Sequence, residues 1–235
     1  ILLNKMIQKF TILFDLDGTL VDTAPDLMMA HNHVMKKFGY EERKLADIKK
    51  LAGGGSKAML RKSMHQIAEL SGKIKKTNEK IEDEMTKEFI NFYSNNINRE
   101  SKLITGVLEF LSWCKNNYIS MAVCTNKQEH LSIDLLKKIN IYHFFDYVAG
   151  GNTFNHNKPD PKHLTDTIEI IGGNLKKSIM IGDSETDSGA AEAAGIPFVL
   201  IEGGYTEKKS NQIYHNHLAK NFIGLEKIIE NYLND

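Results

Sequence analysis

The sequence has little cysteine and no excess of charge of either sign. Its 235 residues include two cysteines, Cys114 and Cys124, and 30 basic side chains balance 30 acidic ones. Two cysteines are too few for a disulfide framework, and they lack the spacing of a zinc site. Balanced charge gives no electrostatic case for binding nucleic acid or an anionic membrane, so we expect neither as a partner.

Long apolar runs are also absent. No stretch approaches the roughly 20 apolar residues of a membrane-spanning helix. Residues 1–10 contain two lysines and lack the small-residue cleavage site of a signal peptide. Hydrophobic residues make up 41% of the chain, as in ordinary globular proteins. These features predict a cytoplasmic protein, and they leave both a monomer and a homodimer open.

Short apolar runs alternate with helical patterns along most of the chain. The runs predict strands at 11–16, 120–125, 147–149, 178–182 and 198–201. The helical patterns lie at 107–117, 128–138, 162–171, 186–194 and 225–233. Such alternation is typical of a parallel sheet with right-handed crossovers. We therefore predict an α/β fold with a Rossmann-like three-layer core and a parallel sheet.

One long segment interrupts this alternation. It contains no convincing strand but three amphipathic helical patterns, at 25–38, 56–70 and 77–97. The roughly 80 residues between the first two strands far exceed an ordinary connection. We predict a helical cap domain at 22–104, inserted into a core formed by 1–21 and 105–235, with hinges near 20–23 and 99–105. The lysine-rich stretch 71–80 is predicted to be a solvated loop.

The most informative motif is Phe-Asp-Leu-Asp-Gly-Thr-Leu-Val-Asp-Thr at 14–23. Because side chains alternate along a strand, Asp15 and Asp17 leave the preceding apolar run on the same side. Two like charges this close repel each other unless a cation or a reaction requires both. We predict that Asp15 attacks phosphorus to form an aspartyl-phosphate. Asp17 would protonate the leaving oxygen and then activate water.

Three further motifs follow later strands, at the edge where open parallel sheets bind ligands. Thr125 and Asn126 follow the second predicted strand, and we expect them to donate hydrogen bonds to phosphate oxygens. Lys158, in a Lys-Pro-Asp-Pro turn, would supply positive charge to the same oxygens. Asp183 and Asp187 follow the fourth predicted strand.

The carboxylates of this set predict a metal site. Two unit charges of the same sign about 4 Å apart repel by roughly 4 kcal/mol at an effective dielectric of about 20. Oxygen ligands, with phosphate completing the shell, favour Mg²⁺ over zinc. We expect the metal to bridge Asp15, Asp183 and the phosphate. Asp187, one helical turn beyond Asp183, is either a ligand or a group behind one.

The four motifs, in this order and over the whole chain, resemble those of the haloacid dehalogenase superfamily. The resemblance implies that Mg²⁺ is bound by the side chains of Asp15 and Asp183 and by the backbone carbonyl of Asp17. It also implies a helical cap that closes over the substrate and excludes water. Asp17 distinguishes the chain from haloacid dehalogenases and phosphonoacetaldehyde hydrolases, which lack an aspartate there. Lys57 lies near the Schiff-base lysine position of the latter, but we predict a solvated helix lysine.

Within the superfamily, residues 14–26, 125–127 and 149–161 resemble phosphoglycolate phosphatases. That resemblance implies a small phosphorylated metabolite as substrate, and we expect hydrolysis of 2-phosphoglycolate to glycolate and phosphate. A pyrophosphatase, another small-metabolite phosphatase and a sugar phosphomutase remain alternatives. The resemblance also places a substrate-specificity loop in the cap, whose backbone N–H groups would suit a carboxylate. Its residues are Gly53, Gly54, Gly55 and Ser56.

Overall fold

The computed structural model describes residues 9–71 and 79–234. The strands are β1 (Thr11–Phe14), β2 (Val21–Asp22), β3 (Lys102–Leu103), β4 (Ser120–Cys124), β5 (Tyr147–Ala149), β6 (Ser178–Gly182), β7 (Phe198–Ile201) and β8 (His217–Ala219). The helices are α1 (Ala24–Lys37), α2 (Leu45–Leu51), α3 (Ser56–Ser71), α4 (Glu79–Asn96), α5 (Val107–Asn116), α6 (Glu129–Lys138), α7 (Lys162–Ile170), α8 (Glu185–Ala194) and α9 (Leu225–Asn234). No helix in these described ranges is both long enough and apolar enough to span a bilayer.

A six-stranded parallel sheet forms the centre, in the order β5-β4-β1-β6-β7-β8. All of β1 is buried. Its side chains alternate between two apolar clusters, since Ile12 and Phe14 belong to one and Leu13 to the other. A parallel strand covered on both faces is apolar at successive positions, which explains the uninterrupted run in the sequence. The predicted α/β fold with a parallel sheet is confirmed.

The segment between β1 and α5 contains helices α1 to α4 and a short two-stranded ribbon. In the ribbon, β2 runs antiparallel to β3, with Val21 opposite Leu103 and Asp22 opposite Lys102. The expectation of no strand in this segment is therefore wrong. Strands of two residues are too short to show the alternation that identifies a strand in sequence. The ribbon joins the two ends of the helical insertion.

The sequence patterns also missed α2 and β8. The helix α2 has seven residues, which is slightly less than two helical turns. That length is too short to show a clear amphipathic pattern in the sequence. The strand β8 has three residues and pairs only at its β7 side, at the edge of the sheet. Residues 1–8 and most of the stretch 71–80, predicted as a loop, lie outside the described residues. The division into a core and a cap at 22–104 stays a prediction.

Helix α4 packs against both α1 and α3. Leu27 of α1 and Phe89 and Tyr93 of α4 belong to the same apolar cluster as Phe14 of β1. The helical segment therefore closes over the carboxyl ends of β1 and β4, where the sequence places its polar motifs.

Candidate active site

The four sequence motifs meet at the carboxyl edge of the sheet. Asp15 directly follows β1, Thr125 follows β4, and Asp183 follows β6. In the parallel register, Phe14 of β1 lies beside Val123 and Ile181, so the three strands end at nearly the same level. This register brings residues that are far apart in sequence into one site.

Lys158 joins two carboxylates of the site. Its Nζ donates to Asp15 Oδ1 at 2.8 Å and to Asp187 Oδ1 at 2.5 Å. Burial alone would lower the pKa of Lys158, but the adjacent carboxylates of Asp15 and Asp187 raise it above its ordinary value. The lysine therefore stays positively charged beside these carboxylates, and its interaction with phosphate oxygens stays a prediction.

Asp187 is held at both carboxylate oxygens. Besides the bond from Lys158 to Oδ1, its Oδ2 accepts from the Asp183 N–H at 3.1 Å. The same oxygen accepts from the Ser184 N–H at 3.0 Å and from Ser184 Oγ at 2.7 Å. These contacts shape the turn into α8. They favour a role for Asp187 in positioning the backbone of Asp183 and Ser184 over direct contact with a metal ion.

Asp15, Asp183 and Asp187 form a buried carboxylate cluster, in which each offers an oxygen within 4.8 Å of the others. Burial, with repulsion from neighbouring carboxylates, raises the pKa of Asp15 to about 6 against the opposing charge of Lys158. Burial and the charges of Asp15 and Asp187 raise the pKa of Asp183 well above its usual value. Buried charges of one sign require compensation, so this oxygen donor set fits a divalent metal ion.

Two neighbours orient Asp183, and the sequence did not mark either as functional. Thr19 Oγ1 donates to its Oδ1 at 2.7 Å, and the Tyr205 N–H donates to its Oδ2 at 2.5 Å. Thr19 lies in the first motif, which was the available signal for it. Tyr205 follows β7 and belongs to none of the four motifs.

Asp17 has different surroundings from the carboxylate cluster. Thr23 Oγ1 donates to its Oδ1 at 2.6 Å. The Nζ of Lys127 lies 3.1 Å from each of its carboxylate oxygens and also donates to the Tyr93 hydroxyl at 2.9 Å. Lys127 is a functional candidate that sequence reasoning missed. It immediately follows Asn126, but no role was assigned to it.

A cavity lies between this sheet edge and the helical segment. Asp15, Asp17 and Thr125 face it from the edge, and Gly53, Gly55 and Ser56 face it from the loop before α3. Three of the four predicted specificity-loop residues therefore line the cavity. Gly54 is not among the described residues that do so.

The two lining glycines of the loop adopt backbone conformations that other residues rarely adopt. Gly53 has φ +96° and Gly55 has φ +84°. A Cβ on Gly55 would lie 3.1 Å from the Asn126 carbonyl oxygen, and one on Gly53 would lie 3.3 Å from that of Tyr205. Glycine allows the cap loop to approach the sheet edge this closely.

Asn126 links the loop to the lysine turn. Its side-chain amide donates to the Gly53 carbonyl at 3.1 Å and to the Lys158 carbonyl at 3.0 Å. Both hydrogens of the side-chain amide are thus used within the protein, and the hydrogen bond from Asn126 to phosphate stays a prediction. The Thr125 hydroxyl accepts from the Lys127 N–H at 3.2 Å and keeps its own hydrogen to donate.

Lys57 is not among the described residues that line the cavity. It forms an exposed ion pair with Asp83, with Nζ 2.6 Å from Oδ1. The prediction of a solvated helix lysine is confirmed.

Comparisons with known proteins identify the family of this chain. The family described as haloacid dehalogenase-like hydrolase matches residues 12–201. A phosphoglycolate phosphatase of Mesorhizobium japonicum is 35% identical over 214 residues, covering 91% of this chain and 92% of the relative. A solved structure from Haemophilus somnus, described as a predicted phosphoglycolate phosphatase, is 27% identical with a TM-score of 0.87, covering 95% of this chain and 99% of its own.

A beta-phosphoglucomutase from Clostridium difficile has the same fold, with a TM-score of 0.76 at 23% identity and coverage of 96% and 98% of the two chains. The family match spans most of the sequence and contains all four motifs. This chain belongs to the haloacid dehalogenase-like hydrolases.

Proposed function

We propose that this hydrolase is a Mg²⁺-dependent phosphatase that converts 2-phosphoglycolate to glycolate and phosphate through an aspartyl-phosphate on Asp15. The observation that carries the proposal is the shared cavity of Asp15 and Asp17, with Lys158 hydrogen-bonded to Asp15. Relatives named phosphoglycolate phosphatase support the substrate. The family and these relatives together support the assignment of the chain as a phosphoric monoester hydrolase.

In the first half-reaction, Asp15 attacks phosphorus and the bond between phosphorus and the glycolate oxygen breaks. Asp17 gives its proton to that leaving oxygen. Lys158 and the Thr125 hydroxyl interact with the developing negative charge on the remaining phosphoryl oxygens. Mg²⁺, held by Asp15, Asp183 and the Asp17 backbone carbonyl, would offset the charge of the carboxylates and of the phosphate dianion.

In the second half-reaction, Asp17 removes a proton from water, which attacks phosphorus and releases phosphate from Asp15. Residues 22–104 would act as a cap that moves about 20–23 and 99–105 and excludes other water during this step. The ribbon of β2 and β3 lies at these two places, so we propose it as the hinge.

The compartment and alternative reactions follow from the same features. Both cysteines are buried and unpaired, which supports a reducing compartment such as the cytoplasm. A pyrophosphatase would use the same residues on a different phosphate. A sugar phosphomutase, whose fold this chain shares, would return the phosphoryl group to a second hydroxyl of its substrate.

The test is phosphate release from 2-phosphoglycolate, pyrophosphate, sugar phosphates and nucleotides, each with Mg²⁺ and with a chelator. We expect strong preference for 2-phosphoglycolate and loss of activity with the chelator. Broad, weak release would keep the phosphatase and contradict the substrate. Transfer of labelled phosphate from one hydroxyl of a sugar phosphate to another, without release, would support the mutase instead.

A further inference from the structure

The proposed substrate has a carboxylate at the end remote from its phosphate, and that charge needs a partner. Among the described residues that line the cavity, Lys127 is the one with a positive charge. Its side chain is only 6% exposed. The loop of Gly53, Gly55 and Ser56 can offer backbone N–H groups but no formal charge.

We propose that Lys127 binds the remote carboxylate of the substrate and thereby selects small phosphorylated acids. This inference rests on the proposed function and adds the residue responsible for its specificity.

The position of Lys127 suits the length of this substrate. Its Nζ lies 3.1 Å from both oxygens of Asp17, the residue proposed to protonate the leaving oxygen. In 2-phosphoglycolate a single carbon separates that oxygen from the carboxyl carbon. A cation hydrogen-bonded to Asp17 therefore lies within reach of the carboxylate when Asp17 reaches the leaving oxygen.

Tyr93 of α4 fixes the ammonium from the cap side. Its hydroxyl accepts from Lys127 Nζ at 2.9 Å, and Nζ lies 4.2 Å from the centre of its ring. Lys127 thus connects the acid of the sheet edge with the helix that covers it. A substrate anion bound to Lys127 would contact both parts of the protein at once.

The remaining surroundings strengthen the selection. Leu27, Met59, Phe89 and Leu131 contribute apolar side chains to the cavity wall. Charge pairs are stronger in such a region of low dielectric than in water.

The alternative explanation is that Lys127 only positions Asp17 and does not bind the substrate carboxylate. That role would change the rate with every phosphate monoester by the same factor. The two roles are separated by comparing 2-phosphoglycolate with 2-hydroxyethyl phosphate, which has the same length and leaves as an alkoxide but has no carboxylate.

The experiment measures kcat/KM for both compounds, with Mg²⁺, in the wild-type protein and in Lys127→Met. We expect the preference of the wild type for 2-phosphoglycolate to fall roughly 10- to 100-fold, the range for one hydrogen bond between charged groups. Lys127→Gln, which keeps a hydrogen-bonding side chain, provides the same comparison if the Met variant does not fold. Lys57→Met removes a nearby lysine outside the cavity and should keep the wild-type ratio.

An unchanged ratio in a folded Lys127 variant would overturn this inference and leave the proposed function intact, even if both rates fall. Loss of the preference with retained cleavage of 2-hydroxyethyl phosphate would support it. If the wild-type protein releases phosphate from neither compound, the proposed function fails, and this inference fails with it.

Discussion

At the scale of single residues, Asp15 and Asp17 show how two aspartates of one motif acquire different properties. Asp15 lies in the buried carboxylate cluster beside Lys158, and its pKa is raised to about 6, mainly by burial. Asp17 is bound by Thr23 and Lys127, and its side chain is 15% exposed. Different surroundings for two carboxylates are typical of pairs that divide catalytic roles.

Asp15→Asn should remove turnover and keep the fold. The amide has nearly the same shape but is not a nucleophile, so we expect phosphate release to fall by at least about a thousandfold. Steady-state release of phosphate measures the rate, and circular dichroism with thermal unfolding checks the fold. Asp146→Asn, in the bend just before β5, is a matched control. Activity within tenfold of wild type would contradict Asp15 as nucleophile.

At the scale of elements, Tyr205 connects the segment after β7 with the buried carboxylate cluster and with the start of α1. Its N–H donates to Asp183, and its hydroxyl donates to Asp22 Oδ1 at 2.7 Å. The hydroxyl also accepts from the Ala24 N–H at 2.6 Å. Lys49 of α2 pairs with the other oxygen of Asp22 at 3.2 Å. One buried tyrosine therefore ties the proposed hinge to a proposed metal ligand.

Tyr205→Phe should destabilise the proposed hinge without disturbing the carboxylate cluster. The change removes the hydroxyl that bonds Asp22 and leaves the Ala24 N–H with only its 3.4 Å contact to Asp22 Oδ1. We expect a loss of about 1–2 kcal/mol in the free energy of unfolding. The backbone N–H to Asp183 is retained, so the Mg²⁺ concentration for half-maximal activity should stay within twofold.

Chemical unfolding and Mg²⁺ titration of activity measure the two effects. Tyr118→Phe, at a tyrosine that is 79% exposed, is the control and should change neither. A large loss of Mg²⁺ affinity in Tyr205→Phe, with an unchanged free energy of unfolding, would show that the hydroxyl acts on the carboxylate cluster and not on the hinge.

At the scale of the whole molecule, the sheet and the helical segment enclose several like charges in one buried place. For Asp15, the pKa of about 6 in the fold exceeds the ordinary value of 3.8. Between these pH values the folded protein holds a proton that the unfolded chain releases. Binding of this proton stabilises the folded state. The free energy of unfolding of the metal-free protein therefore falls as pH rises and is without this stabilisation above about pH 6. Asp183, whose pKa is also raised, acts in the same direction.

Mg²⁺ should therefore stabilise the protein more at about pH 7.5 than at about pH 4.5, because protons compete with the metal for Asp15, whose pKa of about 6 lies between these pH values. We expect Mg²⁺ to raise the melting temperature by several degrees at the higher pH and a chelator to reverse the rise. Thermal unfolding of wild type and of Asp183→Asn at both pH values measures this effect. The variant should show a much smaller response. Equal responses to Mg²⁺ at both pH values would contradict metal binding by these carboxylates.

The central sheet and the polar motifs could be predicted because both depend on neighbouring residues. The apolar run of β1 and the carboxylates that follow it are consecutive in the chain. Helix α2 and strands β2, β3 and β8 could not be predicted in this way. All four are short, and for the strands hydrogen bonds with distant segments decide where they form, as in the pairing of Val21 with Leu103.

By itself, the sequence determined the α/β class, the candidate nucleophile and the set of carboxylates at the sheet edge. Local apolar periodicity and short motifs carry this information. Only the tertiary structure decided which groups surround those carboxylates. Lys127 reaches Asp17 across 110 positions of sequence, and Tyr205 reaches Asp183 from the segment after β7. The physical reason is that such contacts depend on strand register and on how the helices pack over the sheet edge, neither of which any single segment specifies.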